Sequence, residues 1–330
     1  MTTSSPAPAA TRPTAAPGSA RRLRGLAWLL VRQHRTAIVL CAAAVVLGTA
    51  WMLYRRAETL DLLHSADWPG RAGESPAQNL RNRVGEELNS FGNTLAFLPL
   101  LFGVFLGAPL LAADREQGTA RLVTTQSVPR GRWLCWKLCF ALALAALTTG
   151  LLSLPYAWWW RSAGPLAPAD WLNGALFDSS GPVLAATALF TTSLGIAAGA
   201  LVRRATPAMA LTFLVSGVAL FAGDVLKDGL ATPRRLVSPL GGPTPQRLWE
   251  VVQVDQWVGT ASGRLYGWST CVSDASPDSC RAARGIVNSV HEYFGPDQMA
   301  GMQWIAAGVL LGLSAVLTGV ALGWTRRSAL

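Results

Sequence analysis

Charge is scarce in this sequence. Only 14% of the 330 residues are charged and 51% are hydrophobic, whereas soluble domains usually carry about 25% charged residues. The formal net charge is nevertheless +10. A soluble nucleic-acid binder would spread its basic residues over a hydrated surface, so this composition disfavours that class and also a cytosolic globular enzyme. Intrinsic disorder is excluded for all but the chain ends.

Several chemical signatures are also missing. The two lysines, Lys137 and Lys227, do not follow glycine, so the sequence lacks the Gly-Lys-Ser/Thr of a phosphate-binding loop. The three histidines are scattered without metal-ligand spacing. The long apolar runs contain no carboxylate, which disfavours an ion-coupled carrier. The partners of an intramembrane protease are also missing, so we expect no catalytic residue, metal site or cofactor in this chain.

Six long apolar runs account for the scarcity of charge, because a membrane-spanning helix needs about 20 apolar residues. The runs are residues 36–54, 94–113, 133–160, 181–202, 205–223 and 303–324. Lys137 is the one charged residue within them. Most helices of a soluble protein show a polar face toward solvent, which all six runs lack. The sequence therefore predicts an all-α integral membrane protein with six transmembrane helices.

The loops between the runs differ in charge according to the side of the membrane they would face. One set holds 14 basic and 2 acidic residues and comprises residues 1–35, 114–132, 203–204 and 325–330. The other set holds 13 basic and 16 acidic residues and comprises residues 55–93, 161–180 and 224–302. Since cytoplasmic loops retain excess Lys and Arg, we expect both termini in the cytoplasm. We also expect the first run to be an uncleaved span rather than a signal peptide.

The N-terminal 35 residues divide into two parts. Residues 1–20 are mostly Ala, Pro, Ser and Thr, which predicts a disordered cytoplasmic tail. Residues 21–35 instead place apolar residues at helical spacing with basic residues on the opposite side, which predicts an amphipathic helix along the inner headgroup layer. Its candidate site residues are Arg21, Arg24, Trp28, Arg32 and Arg35. The alternative is a basic topology signal without helical periodicity.

The apolar runs also define the remaining regions of the chain. Residues 36–223 hold spans one to five, and residues 303–330 hold span six and a short cytoplasmic tail. Residues 224–302 are long enough for a small folded extracytoplasmic cap. Cys271 and Cys280 lie in the cap around a turn-like Ser-Asp-Ala-Ser-Pro-Asp sequence, which predicts a disulfide on the oxidising side, with two free thiols as the alternative.

Glycines four residues apart recur within the predicted spans. Such pairs allow helix backbones to approach closely, and they support a packed bundle. The pairs are Gly103 and Gly107, Gly195 and Gly199, Gly308 and Gly312, and Gly319 and Gly323.

The segment between spans two and three, residues 114–132, contains both of the acidic residues on the predicted cytoplasmic side. Asp114, Arg115 and Glu116 end the apolar run. Gly118 can end the helix, and Thr119 can cap a short new one. These features predict a helical elbow exposed to the cytosol that a soluble partner could bind. An ordinary charged loop is the alternative.

This segment resembles the cytoplasmic motif of type-two ABC export permeases. The motif has an acidic residue, then Gly-Thr, then a segment like Thr-Pro-Val/Ser-Arg. The matching residues are Glu116-Gln-Gly118-Thr119, Thr125 and Ser127-Val-Pro-Arg130, although the order from Gln126 to Pro129 departs slightly. Trp28, Arg32-Gln33-His34-Arg35 and Gln303-Trp304 resemble the actinobacterial branch of this family.

The resemblance implies a permease subunit that works with a separate ABC ATPase subunit and a second permease copy or paralogue in a bacterial cytoplasmic membrane. ATP and Mg²⁺ would be bound by the ATPase. The resemblance does not indicate the cargo, and apolar spans with scattered hydroxyls suit a hydrophobic or amphipathic one. The implied ATPase-coupling residues are Arg115, Glu116, Gly118, Thr119, Arg121, Thr125 and Arg130. The alternative function is a membrane-anchored sensor, or a structural partner without transport activity.

Overall fold

The computed structural model describes residues 26–65, 67, 78–117, 130–202, 204–249 and 251–327. Within these ranges, six helical segments are long and apolar enough to cross a membrane. Each contains one of the six predicted apolar runs or nearly all of it. The predicted class of an all-α membrane protein with six spans is therefore confirmed for the membrane-spanning part of the chain.

The first three spans are built from five helical elements. A short helix, α1 (Leu26–Gln33), precedes span one, which is α2 (Arg35–Ser65). Span two comprises α3 (Gln78–Leu101), a π-helical turn (Phe102–Gly107) and α4 (Ala108–Glu116). Span three is α5 (Arg130–Ala163).

Spans four to six are simpler. A short helix, α6 (Leu176–Ser179), leads into α7 (Gly181–Leu201), which is span four. Span five is α8 (Ala205–Leu226), and span six is α10 (Met299–Arg327). The backbone leaves the helical region at Val202 and Arg204, so α7 and α8 form a tight hairpin.

Helices α2 and α3 extend well beyond the apolar runs that predicted them. Their additional turns are polar and bind each other. The Arg83 guanidinium of α3 lies 3.4 Å from the Glu58 carboxylate of α2, which also pairs with Arg55 of its own helix at 2.6 Å. Trp159 of α5 donates a hydrogen bond to Thr59 at 3.1 Å. These helices are longer than the apolar runs because apolar length reflects the hydrocarbon thickness and not the full length of the helix.

The region between α8 and α10 contains a four-stranded antiparallel sheet. Its strands are β1 (Arg234–Pro239), β2 (Val252–Thr260), β3 (Leu265–Gly267) and β4 (Ile286–Phe294), in the order β1-β4-β2-β3. A short helix, α9 (Pro277–Arg284), precedes β4. We call residues 234–294 the cap. The sequence predicted a folded cap here but not its sheet.

The cap packs directly on one end of the helix bundle, which we call the cap end. Phe294 and Val252 are buried in the same apolar cluster as Tyr156, Trp159 and other bundle residues. Cys271 and Cys280 form a disulfide within the cap, beside the small cluster that contains Val258 and Ile286. The opposite helix ends, where α4, α7 and α10 end and α5 and α8 begin, are called the far end.

Candidate functional site

The helix α1, at the far end, carries two of the residues predicted for an interfacial helix, Trp28 and Arg32. Leu30 is buried, whereas Trp28 and Arg32 are exposed, and the Arg32 guanidinium lies 5.1 Å from the Trp28 ring centre. A turn at His34 ends the helix, so Arg35 is the first residue of α2 rather than part of the preceding helix. Arg21 and Arg24 lie outside the described residues.

Spans two and four approach each other closely, and this contact places the end of α4 at the far end of the bundle. A methyl group on Gly195 would overlap the carbonyl oxygen of Gly103, and one on Gly199 would overlap that of Ala108. A methyl group on Gly107 would likewise meet the Thr192 carbonyl oxygen. Two of the predicted glycine pairs thus face each other, and α4 ends directly beside the α7–α8 hairpin.

Two predicted coupling residues at the end of α4 bind this hairpin. Arg115 donates a hydrogen bond to the backbone carbonyl of Ala200, at the end of α7. Glu116 accepts a hydrogen bond from the backbone amide of Ala205 at 3.0 Å. Because Ala205 is the first residue of α8, the Glu116 carboxylate acts on one of the amides that a helix N-terminus leaves without an intrahelical partner. Both side chains therefore hold span two to its neighbours.

Asp114, the first residue of the same charged triplet, forms an ion pair with Lys137 of α5. The Lys137 side chain is only 2% exposed. Its ammonium group also lies 3.4 Å from the Leu110 carbonyl oxygen and 4.7 Å from the centre of the Trp133 ring. A buried charge is tolerated only with such compensation, and loss of one member of a buried pair is costly.

The charged triplet Asp114-Arg115-Glu116 therefore connects the end of span two to three other spans. Asp114 contacts span three, Arg115 contacts span four and Glu116 contacts span five. We call this arrangement the helix-end junction. The other predicted coupling residues, Gly118, Thr119, Arg121 and Thr125, lie outside the described residues. Arg130 is the first residue of α5, but its side chain is not described.

The ion pair of Asp114 and Lys137 was missed by the sequence analysis. Lys137 was recognised as the one charge in the apolar runs, and Asp114 as the residue that ends run two. The sequence did contain a signal for this pair. A cation within one apolar run requires a partner, and an acid lies at the end of the neighbouring run. The binding of Glu116 to Ala205 had no comparable signal, because it depends on the approach of α4 to the α7–α8 hairpin.

A comparison with protein families identifies the chain. A family model described as ABC-2 membrane transporter related matches residues 37–226, which is more than half of the chain. The chain belongs to this family. Comparison with curated proteins and with solved structures finds no match.

The ABC-2 membrane transporter related match covers spans one to five, including the helix-end junction, and ends at the last residue of α8. A protein of this family is a membrane-spanning transporter subunit and not itself an enzyme. Permeases of the ABC-2 type generally work with an ABC ATPase subunit. The predicted membership of a type-two ABC permease family is thus confirmed, and the actinobacterial branch stays a prediction.

Proposed function

We propose that this chain is the permease subunit of an ATP-driven exporter. In this proposal a separate ABC ATPase binds and hydrolyses ATP with Mg²⁺ and contacts the elbow at residues 114–132, and a second permease copy or paralogue completes the transporter. The helix-end junction is the observation that supports this function. Displacement of the end of α4 would act on spans three, four and five together, because each of them binds one residue of the charged triplet.

The proposed orientation places the far end and both termini in the cytoplasm and the cap outside. Two features support it: the excess of basic residues in the far-end loops and the disulfide of Cys271 and Cys280 in the cap. The exposed Arg32 and Trp28 of α1 would then meet the inner headgroup layer of a bacterial cytoplasmic membrane. The cap would cover the exit side.

Coupling is proposed to be mechanical. Closure of two ATPase subunits would move the elbows, and the helix-end junction would pass this motion to the bundle. The π-helical turn at Phe102–Gly107 lies within span two, between the junction and the cap-end half of the span. Such turns often interrupt helices at functional positions, and this one is a candidate pivot for α4.

We expect a gene adjacent to that of this chain to encode an ABC ATPase, and the test is reconstitution with that subunit. We expect the chain to bind that ATPase and to stimulate vanadate-sensitive ATP hydrolysis. Glu116→Ala should lower this stimulation at least threefold, because it removes the carboxylate from the Ala205 amide. The matched control is Glu86→Ala, which removes an exposed carboxylate of α3 away from the junction.

A second measurement locates the contact. A cysteine at Thr119, in a background without Cys41, Cys135 and Cys139, should cross-link to the ATPase, whereas a cysteine at Ser262 in the cap should not. Absence of ATPase binding, or full stimulation by Glu116→Ala, would contradict the permease proposal. A sensor or a structural partner subunit would then be the remaining interpretation.

A further inference from the structure

A cavity of about 290 Å³ lies between α3, α7, α8 and α10, on the cap side of the bundle and away from the helix-end junction. Ligand sites in proteins usually measure about 300–1,000 Å³, so its size is at the lower limit of that range. Most of its lining is apolar, including Pro99, Leu184, Phe190 and Leu310. An apolar molecule or the apolar part of an amphipathic one would fit these walls.

Three charged residues also line this cavity: Asp178 of α6, Asp224 near the end of α8, and Lys227 just after it. The Lys227 ammonium group lies 2.5 Å from the Asp224 carboxylate and is buried, whereas the Asp224 side chain is 60% exposed. The charge of Lys227 is therefore already matched by Asp224. Asp178 forms no ion pair among the described residues, although Lys227 is near enough to favour its charged form.

The surroundings of Asp178 are unusual for a carboxylate. Burial raises the pKa of this carboxyl group, Lys227 lowers it, and Asp224 raises it again. Within the described part of the chain, no residue donates a hydrogen bond to the Asp178 carboxylate. Asp178 is partly exposed and lines the cavity, so a cation bound there would supply the partner that the described residues do not.

We propose that this cavity binds an amphipathic cation, with the cationic group beside Asp178 and the apolar body between α7, α8 and α10. The carboxylates of Asp178 and Asp224 exceed the single ammonium of Lys227 by one negative charge. Anions are disfavoured by this excess, because the one cation in the lining already binds Asp224. The proposal concerns binding alone and holds whether or not the chain exports the ligand.

The experiment compares two probes of nearly the same shape and opposite charge. Tetraphenylphosphonium is a hydrophobic cation, and tetraphenylborate is the corresponding anion. Saturable binding of each to the purified full-length chain in detergent is measured by equilibrium dialysis. We expect tetraphenylphosphonium to bind at least tenfold more tightly than tetraphenylborate.

Two variants assign the binding to Asp178. Asp178→Asn should weaken tetraphenylphosphonium binding at least tenfold, because it removes the negative charge and keeps the side-chain shape. Asp228→Asn is the matched control, since Asp228 is an exposed carboxylate next to Lys227 that does not line the cavity. It should change the affinity less than twofold. Both variants are checked for an unchanged elution volume and unfolding temperature.

A third variant keeps the test decisive if Asp178→Asn does not fold. Ala219→Phe places a large side chain on a lining residue of α8 and should weaken tetraphenylphosphonium binding at least fivefold. The proposal is overturned if tetraphenylphosphonium shows no saturable binding or binds no more tightly than tetraphenylborate. Equal affinity of Asp178→Asn and Asp228→Asn would also overturn it.

Discussion

At the cap end, a large apolar cluster and neutral hydrogen bonds close the bundle, and ion pairs join α2 to α3. At the far end, one charged triplet connects span two to three other spans. Phe294 of the cap joins a buried cluster that contains Trp159 and Tyr156. The Gln303 amide there donates hydrogen bonds to Phe177 and Ser180. At the far end, Asp114, Arg115 and Glu116 make the corresponding contacts between spans.

This difference follows from what each end has to do in the proposed function. Apolar packing is non-directional and is spread over many residues. A substitution at one residue therefore changes only a small part of the contact between helices. Ion pairs and charge-assisted hydrogen bonds are few and directional, so a small movement of α4 acts on defined points of its neighbours. The far end should therefore be the more sensitive of the two to single substitutions.

The largest effect is expected at the far end. Lys137→Met removes the ammonium group from the Asp114 carboxylate in a buried site, which should lower the free energy of unfolding by about 3–5 kcal/mol. The double variant Asp114→Leu with Lys137→Met should recover most of that loss, because the remaining groups are apolar. Thermal unfolding followed by tryptophan fluorescence measures both. A loss below about 1 kcal/mol for the single variant would show that this end is no more sensitive than the other.

A smaller effect is expected at the cap end. Gln303→Leu removes an amide whose nitrogen lies 3.0 Å from the Phe177 carbonyl oxygen and 3.2 Å from that of Ser180. Since these acceptors are buried, we expect a loss of about 1–3 kcal/mol in the same unfolding assay. Gln246→Leu, at an exposed glutamine of the cap, should change stability little. If Gln303→Leu costs more than Lys137→Met, the comparison between the two ends is wrong.

The smallest effect is a pH dependence of the cap. Burial lowers the pKa of His291 in β4 below the ordinary histidine value of 6.5. The folded cap therefore binds fewer protons than the unfolded one just below that pH, so its stability should fall as the pH drops below about 6.5 and stay level above it. Hydrogen exchange of β4 measures this loss. His291→Gln should remove it, whereas His64→Gln, at an exposed histidine outside the cap, should not.

The glycine pairs were predicted to pack helices together, but the sequence did not show which of the pairs would do so. Gly195 and Gly199 of α7 pack against span two without room for a methyl group. A methyl group added to any of the four α10 glycines would meet no neighbouring atom within 4 Å; these are Gly308, Gly312, Gly319 and Gly323. Yet α10 also packs on α7, through hydroxyl groups such as Ser314 to Ser193 at 2.7 Å. The spacing of glycines is the same in both helices, so spacing alone could not tell the buried face from the exposed one.

The sheet of the cap is a second feature that the sequence did not predict. Its length and its two cysteines were sufficient to predict a folded segment with a disulfide. Its sheet pairs β1 with β4, whose residues Arg234 and Tyr293 are far apart in the sequence. Such pairing depends on which strands meet after the chain folds back, and the short β3 of three residues has no periodicity to recognise.

By itself, the sequence determined that the chain has six membrane spans, because a bilayer excludes charge and requires about 20 apolar residues for each crossing. It also marked residues 114–132 as the segment that holds both acidic residues of the predicted cytoplasmic side. The tertiary structure decided that Asp114 binds Lys137, that Glu116 binds the start of α8, and that an apolar cavity contains Asp178. These contacts join residues from different helices, and only the packing of helix on helix brings them within bonding distance.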